Sequence, residues 1–129
     1  MASIQIKGIE KLKKKLSNVE INEILRPPMQ RSVLMLQADL AKYPTQRTGS
    51  TYVRTGRLGR SWTTSVSNQS GKLVGRVGNN VAYAPFVQSA KFQRPYNQRR
   101  WQTDEQVVEK NRSKIIKQFE DVISRALED

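Results

Sequence analysis

The chain has no cysteine and no histidine among its 129 residues. Without cysteine there is no disulfide framework, no thiolate zinc site and no thiol nucleophile. Without histidine the commonest general base and the commonest transition-metal ligand are gone. A third absence is local: from Leu40 to Thr103, 64 residues pass without an Asp or Glu. Eleven Lys or Arg lie in that stretch, so the formal charge of +12 divides into +11 there and +1 in the two flanks together. Such a split describes two nearly neutral scaffold segments holding a cationic centre, a surface suited to nucleic acid, an acidic protein face or the acidic side of a neighbouring copy.

Long apolar runs are also missing. No stretch approaches the roughly 20 apolar residues of a membrane span, and Met1 to Lys7 lacks the apolar run of a signal peptide. The expectation is a chain made in a cytoplasm, with no membrane partner, used there or carried into a particle assembled there. Hydrophobic residues make up 36% and mean hydropathy is -0.67, low for a self-sufficient monomer. Part of the burial is therefore expected to come from association. The length fits one domain, residues 1–129, with a small core.

Ile4 and Ile6 alternate with polar residues and suggest a short edge strand ending at Gly8. Ile9, Leu12, Leu16 and Val19 follow at helical spacing, and Lys13, Lys14 and Lys15 read as the solvated face of that helix. Pro27-Pro28 predicts the start of a second helix, because proline is tolerated in a first turn but not an interior. Its stripe is Met29, Val33, Leu36 and Leu40, with Ala41 beside it, and Tyr43-Pro44 ends it after Lys42. Residues 45–57 are polar, glycine-containing and basic, the composition of a long loop.

From Ser61 the period becomes two: Trp62, Thr64 and Val66 share one face, and Leu73, Gly75 and Val77 continue beyond an Asn68-Gln69-Ser70-Gly71 turn. This is a β-hairpin, expected to break at Gly78-Asn79-Asn80. Val81 to Val87 is apolar and reads as a strand, a helical turn or one passing into the other. Residues 88–100 form a second basic loop. The last helix opens on Thr103-Asp104-Glu105-Gln106, a capping box, with a stripe of Val108, Ile115, Phe119, Val122 and Ala126 and Arg112 in the remaining slot. The order predicts an α+β domain: a small antiparallel sheet packed against N- and C-terminal amphipathic helices, with basic loops at about 42–60 and 88–100.

Little here points to catalysis, and no catalytic, cofactor or metal residues are assigned. Metal chemistry on carboxylates needs several acids converging, whereas these acids are confined to the flanks, mostly on expected helix faces. Asp104 and Glu105 suit a helix N-terminus. Ser and Thr lack a histidine to activate them. Gly71, Gly75 and Gly78 lack the Lys-Ser/Thr and strand-to-helix context of a phosphate loop. One enzymatic route stays open, a small basic ribonuclease working through Arg, Lys and Tyr52, Tyr83 or Tyr96. Nucleic-acid binding is the stronger alternative: Arg54, Arg57 and Arg60 recur every three residues, and Tyr52, Trp62, Phe92, Tyr96 and Trp101 interleave aromatics with cations.

Thr55-Gly56-Arg57-Leu58-Gly59-Arg60-Ser61-Trp62, followed after the hairpin by Val77-Gly78-Asn79-Asn80-Val81-Ala82-Tyr83-Ala84-Pro85-Phe86-Val87, resembles the minor tail-component, or tail-completion, family of long-tailed bacteriophages and prophages. That family combines an N-terminal Leu/Lys helix, a second amphipathic helix, a T-G-x-L-x-x-S segment opening a hairpin, a V-G-x-x-x-x-Y-A-x-x-V segment and a C-terminal helix. The likeness spans roughly residues 8 to 127. After the Tyr-Ala segment the family often carries an acidic residue and a Gly-Thr pair, where this chain has Gln88-Ser89-Ala90. The resemblance implies a structural protein of the virion neck, assembled in the bacterial host cytoplasm, forming a ring of six subunits between head connector and tail tube. It implies structural roles for Thr55, Gly56, Leu58, Ser61, Trp62, Gly78, Tyr83, Ala84 and Val87. The candidate residues for docking subunits or contacting a polyanion are Arg47, Arg54, Arg57, Arg60, Lys91, Arg94, Arg99 and Arg100, with transient DNA contact as a further expectation. The alternative is a basic nucleic-acid-binding accessory protein of phage or prophage origin.

Overall fold

The computed structural model describes residues 4, 6, 8–45, 56–69 and 72–128. In chain order the elements are helix α1 (Ile9–Lys15), helix α2 (Asn18–Leu40), a single turn α3 (Arg57–Arg60), strands β1 (Trp62–Gln69) and β2 (Lys72–Asn79), a short helix α4 (Ala84–Gln88), a 3-10 turn (Pro95–Asn97) and helix α5 (Asp104–Glu128). This is a small α+β fold with a two-stranded antiparallel sheet.

The N-terminal region differs from its expected layout. Ile4 and Ile6 lie outside any strand and pack half-buried on the main core. Helix α1 buries Leu12 completely and leaves Lys13, Lys14 and Lys15 exposed, but it stops at Lys15. Leu16 is extended (φ -126°, ψ 154°) and Ser17 starts a new helix. The Ser17 hydroxyl accepts from the Glu20 N–H at 3.2 Å, and the Glu20 carboxylate accepts from the Ser17 N–H at 3.2 Å. This reciprocal cap satisfies orphan donors and sets the start of α2. Val19 therefore belongs to α2, where it is 67% exposed, not to the first helix.

Helix α2 thus begins nine residues before Pro27 and runs through both prolines. A proline inside a helix removes an N–H and crowds the preceding turn, a cost of about 3 kcal/mol in isolation. Packing outweighs it here. Pro28 is fully buried, and Ile21, Leu25, Val33 and Leu40 are buried on the same helix. The Ser32 hydroxyl also donates to the Pro28 carbonyl at 2.7 Å. Val33 and Leu40 of the expected stripe are buried, with Met29 and Leu36 half-buried on the core. The helix stops at Leu40, two residues short of Lys42.

Helix α5 opens as its sequence requires: the Thr103 hydroxyl accepts from Gln106 N–H at 3.2 Å and the Gln106 amide oxygen accepts from Thr103 N–H at 3.0 Å. Its buried face is Val107, Asn111, Ile115, Phe119 and Ile123. The expected stripe shares only Ile115 and Phe119 with it; Val108, Val122 and Ala126 flank it half-buried, and Asn111 takes the inner place assigned to Arg112. Asn111 is drawn inward by a polar partner, Asp39, whose carboxylate accepts from Asn111 Nδ2 at 2.9 Å. Lys110 Nζ lies 2.9 Å from the same carboxylate and Lys42 Nζ 3.4 Å away.

The pairings Asp39 with Asn111 and Ser32 with Gln118 make α2 and α5 antiparallel. Between them and α1 sits the main core of Leu12, Ile21, Leu25, Ile115, Phe119 and Ile123. Helix α2 also packs against both strands. The hairpin register pairs Trp62 with Asn79, Thr64 with Val77 and Val66 with Gly75. Trp62, Thr64, Val66, Leu73, Gly75 and Val77 are half-buried while Thr63, Ser65 and Arg76 are exposed, the period-two pattern of a sheet covered on one face. Pairing continues through Gly78 to Asn79, where the strand ends. Among the described residues no helix is long and apolar enough to cross a membrane.

Gly75 is a point of close approach. A Cβ there would lie 2.6 Å from Met29 Sδ and 2.7 Å from Val33 Cγ1. Methionine can yield, but Val33 is buried, so Gly75→Val is expected to destabilise by about 1–3 kcal/mol through overpacking, read as a lower urea midpoint. The Asp39 carboxyl supplies a pH dependence. Burial pushes it up, but hydrogen bonds from Asn111 and Lys110 and the charges of Lys110 and Lys42 together hold it below the usual carboxylate value. A carboxyl lowered in the folded state stabilises above the unfolded value of about 4 and loses that contribution as pH falls through the folded value. Asp39→Asn should thus cost about 1–2 kcal/mol at pH 7, with the gap to wild type closing in strong acid; a gap independent of pH contradicts the assignment.

Candidate docking surface

The acid-free stretch folds around a second, smaller core. Leu58, Val81 and Ala84 are buried together, and Tyr43, Val87 and Trp101 pack half-buried against them. The Tyr43 and Trp101 rings meet edge to face with centroids 5.0 Å apart. Five chain segments converge there: the end of α2, the α3 turn, the base of the hairpin, α4 and the approach to α5.

Polar groups hold the junctions. Residues Arg57–Arg60, expected as loop running into a strand, form the α3 turn with Leu58 as its buried residue. The Asn79 amide donates to the Leu58 carbonyl at 2.8 Å and its oxygen accepts from Val81 N–H at 3.0 Å. Gly59 N–H donates to the Tyr43 hydroxyl at 2.9 Å. Only glycine fits at position 59, where a Cβ would sit 2.8 Å from the Tyr43 ring and 3.1 Å from the Ala41 carbonyl.

Of the readings open for Val81 to Val87, the structure shows a helical turn: α4 carries Pro85 in its first turn and buries Ala84 and Gln88. The following basic segment is tied down by amides. Gln93 Nε2 donates to the carbonyls of Val87 (2.7 Å), Trp101 (3.1 Å) and Asn97 (3.3 Å). Asn97 Nδ2 and Arg94 N–H both donate to the Phe86 carbonyl, at 3.0 and 2.8 Å. Gln88, 2% exposed, donates to the Leu40 carbonyl at 3.0 Å and the Gln102 carbonyl at 3.3 Å, joining the end of α2 to the start of α5. These amides were missed as structural residues by sequence reasoning. Their signal is the density of Gln and Asn between 88 and 102, which carries no apolar period.

The cations ride on this frame. The Arg94 guanidinium lies 4.6 Å from the Phe86 ring centroid, Lys91 Nζ lies 5.3 Å from that of Phe92, and the Arg100 guanidinium lies 5.8 Å from that of Tyr96. Arg100 also donates to the Thr45 carbonyl at 3.3 Å, bridging the two basic stretches. Arg99 adopts a left-handed backbone (φ 65°), a conformation costing a non-glycine residue roughly 1–2 kcal/mol. Arg57 and Arg60 are exposed on α3. Arg47, Arg54 and Thr55 lie outside the described residues, as does Tyr52.

The motif residues divide. Leu58, Ala84 and Val87 meet in the small core. Gly56 precedes α3, and the Ser61 hydroxyl donates to the Arg57 carbonyl at 2.6 Å, closing that turn. Trp62 is half-buried at the hairpin base with its indole N–H enclosed. Tyr83 is 42% exposed, and the side-chain position of Gly78 opens on empty space.

Both acids that bound the stretch are engaged in the scaffold. Asp39 faces α5, and Asp104 accepts from the backbone N–H groups of Ala90 at 3.0 Å and Glu105 at 2.8 Å. Among the described residues there is no group of three or more acidic side chains placed to hold a metal ion. Gln88→Ala would leave the Leu40 and Gln102 carbonyls without their donor, each worth about 1–3 kcal/mol when buried. The expected result is a lower thermal midpoint and faster proteolysis within 81–103, checked by limited trypsin digestion; unchanged cleavage would contradict the role given to Gln88.

Comparison with protein-family models, with curated proteins and with solved structures finds no match for this chain.

Proposed function

We propose that this is a non-enzymatic structural protein of a bacteriophage neck, a tail-completion component that assembles with copies of itself into a ring and joins head connector to tail tube. The observation that carries the reading is the meeting of the two motif segments. Leu58 from the first and Ala84 and Val87 from the second share one small core, although Leu58 and Ala84 lie 26 positions apart. Distant motif pieces packed on one buried core hold the basic residues beside them in a fixed relation, which supports a shared docking end.

In this reading the hairpin and the N- and C-terminal helices are the scaffold, and the basic stretches 42–60 and 88–100 are the working surface. Subunit association also accounts for the low hydrophobic content, since apolar area buried between copies need not be buried within one. The competing reading, a nucleic-acid-binding accessory protein, draws on the aromatics beside cations between Phe86 and Arg100.

Light scattering after size exclusion, with negative-stain imaging, tests the proposal. Rings alone, or rings formed on connector or tail proteins, are expected. A strict monomer that ignores those partners and binds DNA tightly with a steep salt dependence would replace it with the nucleic-acid reading. Replacing Arg54, Arg57 and Arg60 together by Ala should impair assembly and leave the far-UV spectrum and thermal midpoint near wild type; intact assembly would remove those arginines from the docking surface.

A further inference from the structure

The face formed by Phe86, Lys91, Phe92, Arg94, Tyr96 and Arg100 has a mixed chemistry that narrows its partner. We infer that it docks an acidic protein segment carrying both carboxylates and apolar side chains, supplied by a molecule other than a second copy of this chain. The inference rests on the neck reading only for the setting in which such a partner is met.

Three observations converge on that chemistry. The cations are placed and not loose: each lies against an aromatic ring, at 4.6 to 5.8 Å from its centroid, on a backbone held by Gln93 and Asn97. A guanidinium held against a ring presents its N–H fork with less freedom to lose, which suits planar recognition of a carboxylate. The aromatics are also open to a partner, Phe86 at 40%, Phe92 at 54% and Tyr96 at 63% exposed. Apolar area beside fixed cations is the make-up of a protein-docking centre, in which aromatics and arginine dominate.

The same geometry weighs against the other two partners. Stacking unpaired bases needs aromatic faces as platforms, and here a cation takes one face of each ring, leaving the rest of it exposed. A phosphate backbone would use the charge and leave the exposed rings without a role. Among the described residues, several acids that a second copy would offer are already engaged within their own chain. Asp39 faces α5, Asp104 accepts from the Ala90 and Glu105 N–H groups, Glu20 closes the α2 cap, and Glu10 and Glu109 pair with Lys13 and Arg112 on their own helices. The remaining described acids, Glu23, Glu105, Glu120, Asp121 and Glu128, stand among Lys and Arg of α2 and α5.

The test uses the full chain and fluorescence anisotropy at physiological ionic strength. The probes are a labelled peptide of Glu interspersed with Leu and Phe, a Glu-Gly peptide of equal charge, and single-stranded and duplex oligonucleotides of equal charge. The Glu-Leu-Phe peptide is expected to bind about tenfold more tightly than each of the others. Arg94→Ala and Phe86→Ala should each weaken it about fivefold, a loss consistent with cation–π and charge-assisted contacts. Arg99→Gly removes a neighbouring charge while relieving the left-handed strain, so its weaker binding would appear with an unchanged or raised thermal midpoint. Lys14→Ala, on the far α1 face, should change nothing.

Oligonucleotides binding as tightly as the apolar acidic peptide would overturn the inference. So would equal affinity for the Glu-Gly peptide, equal loss in Lys14→Ala, or no peptide binding at all. These outcomes are separable from the neck reading: rings without peptide binding remove the inference alone, and a chain that binds the peptide yet forms no ring, by itself or on connector or tail proteins, removes the ring alone.

Discussion

The Asp39 carboxylate is the constraint on which the architecture depends. It is the last acid before the acid-free run, it sits almost fully enclosed at the end of α2, and it receives Asn111 and Lys110 from α5. A buried carboxylate has to be matched by donors to be tolerated, so this one fixes both the register of α2 against α5 and the inward rotation of α5 at Asn111. The next residue, Leu40, offers its carbonyl to Gln88. One turn of helix thus couples the main core to the smaller one.

That coupling has an electrostatic consequence. Asp39 spends its carboxylate on α5 and on Lys42, the first cation of the stretch, at 3.4 Å, and Asp104 accepts from the Ala90 and Glu105 N–H groups. The stretch itself contributes eleven cations and no carboxylate. Its shape comes from neutral polar groups, Asn79, Gln88, Gln93 and Asn97, bonding to backbone carbonyls. Amides can fasten a loop without changing its charge. The described part of a strongly charged surface is thereby fixed in position, a state suited to meeting a complementary partner.

The sequence displayed the hairpin, the capping box of α5 and the lower half of α2 clearly, because each has a local signature: alternation at Trp62, Thr64 and Val66, reciprocal Thr103 and Gln106, and i+3/i+4 spacing from Met29 through Leu40. Where long-range contacts decided, the local signals misled. Pro27-Pro28 reads as a helix start, yet the Ser17–Glu20 box upstream and the burial of Pro28 carry α2 through both prolines. Apolarity puts Val108 and Val122 on the α5 stripe with Arg112 in its open slot, whereas the inward position belongs to Asn111, a polar residue with a buried partner. Segment 88–100 reads as open loop since amide-to-carbonyl bonds leave no periodic trace. Its cations were legible as a surface, but the rings laid against Lys91, Arg94 and Arg100 were not.

The central claim is that the cationic segment is a built surface fastened to the helical scaffold before any partner arrives. Hydrogen–deuterium exchange of the isolated chain tests it most directly, through the amides of Ala84, Arg94 and Trp101, which donate to Val81, Phe86 and Asn97. The account predicts that these amides exchange slower than an unstructured peptide by on the order of 100-fold, in step with the end of α2. Exchange at the unstructured rate across 84–101, with α2 and α5 still protected, would contradict it.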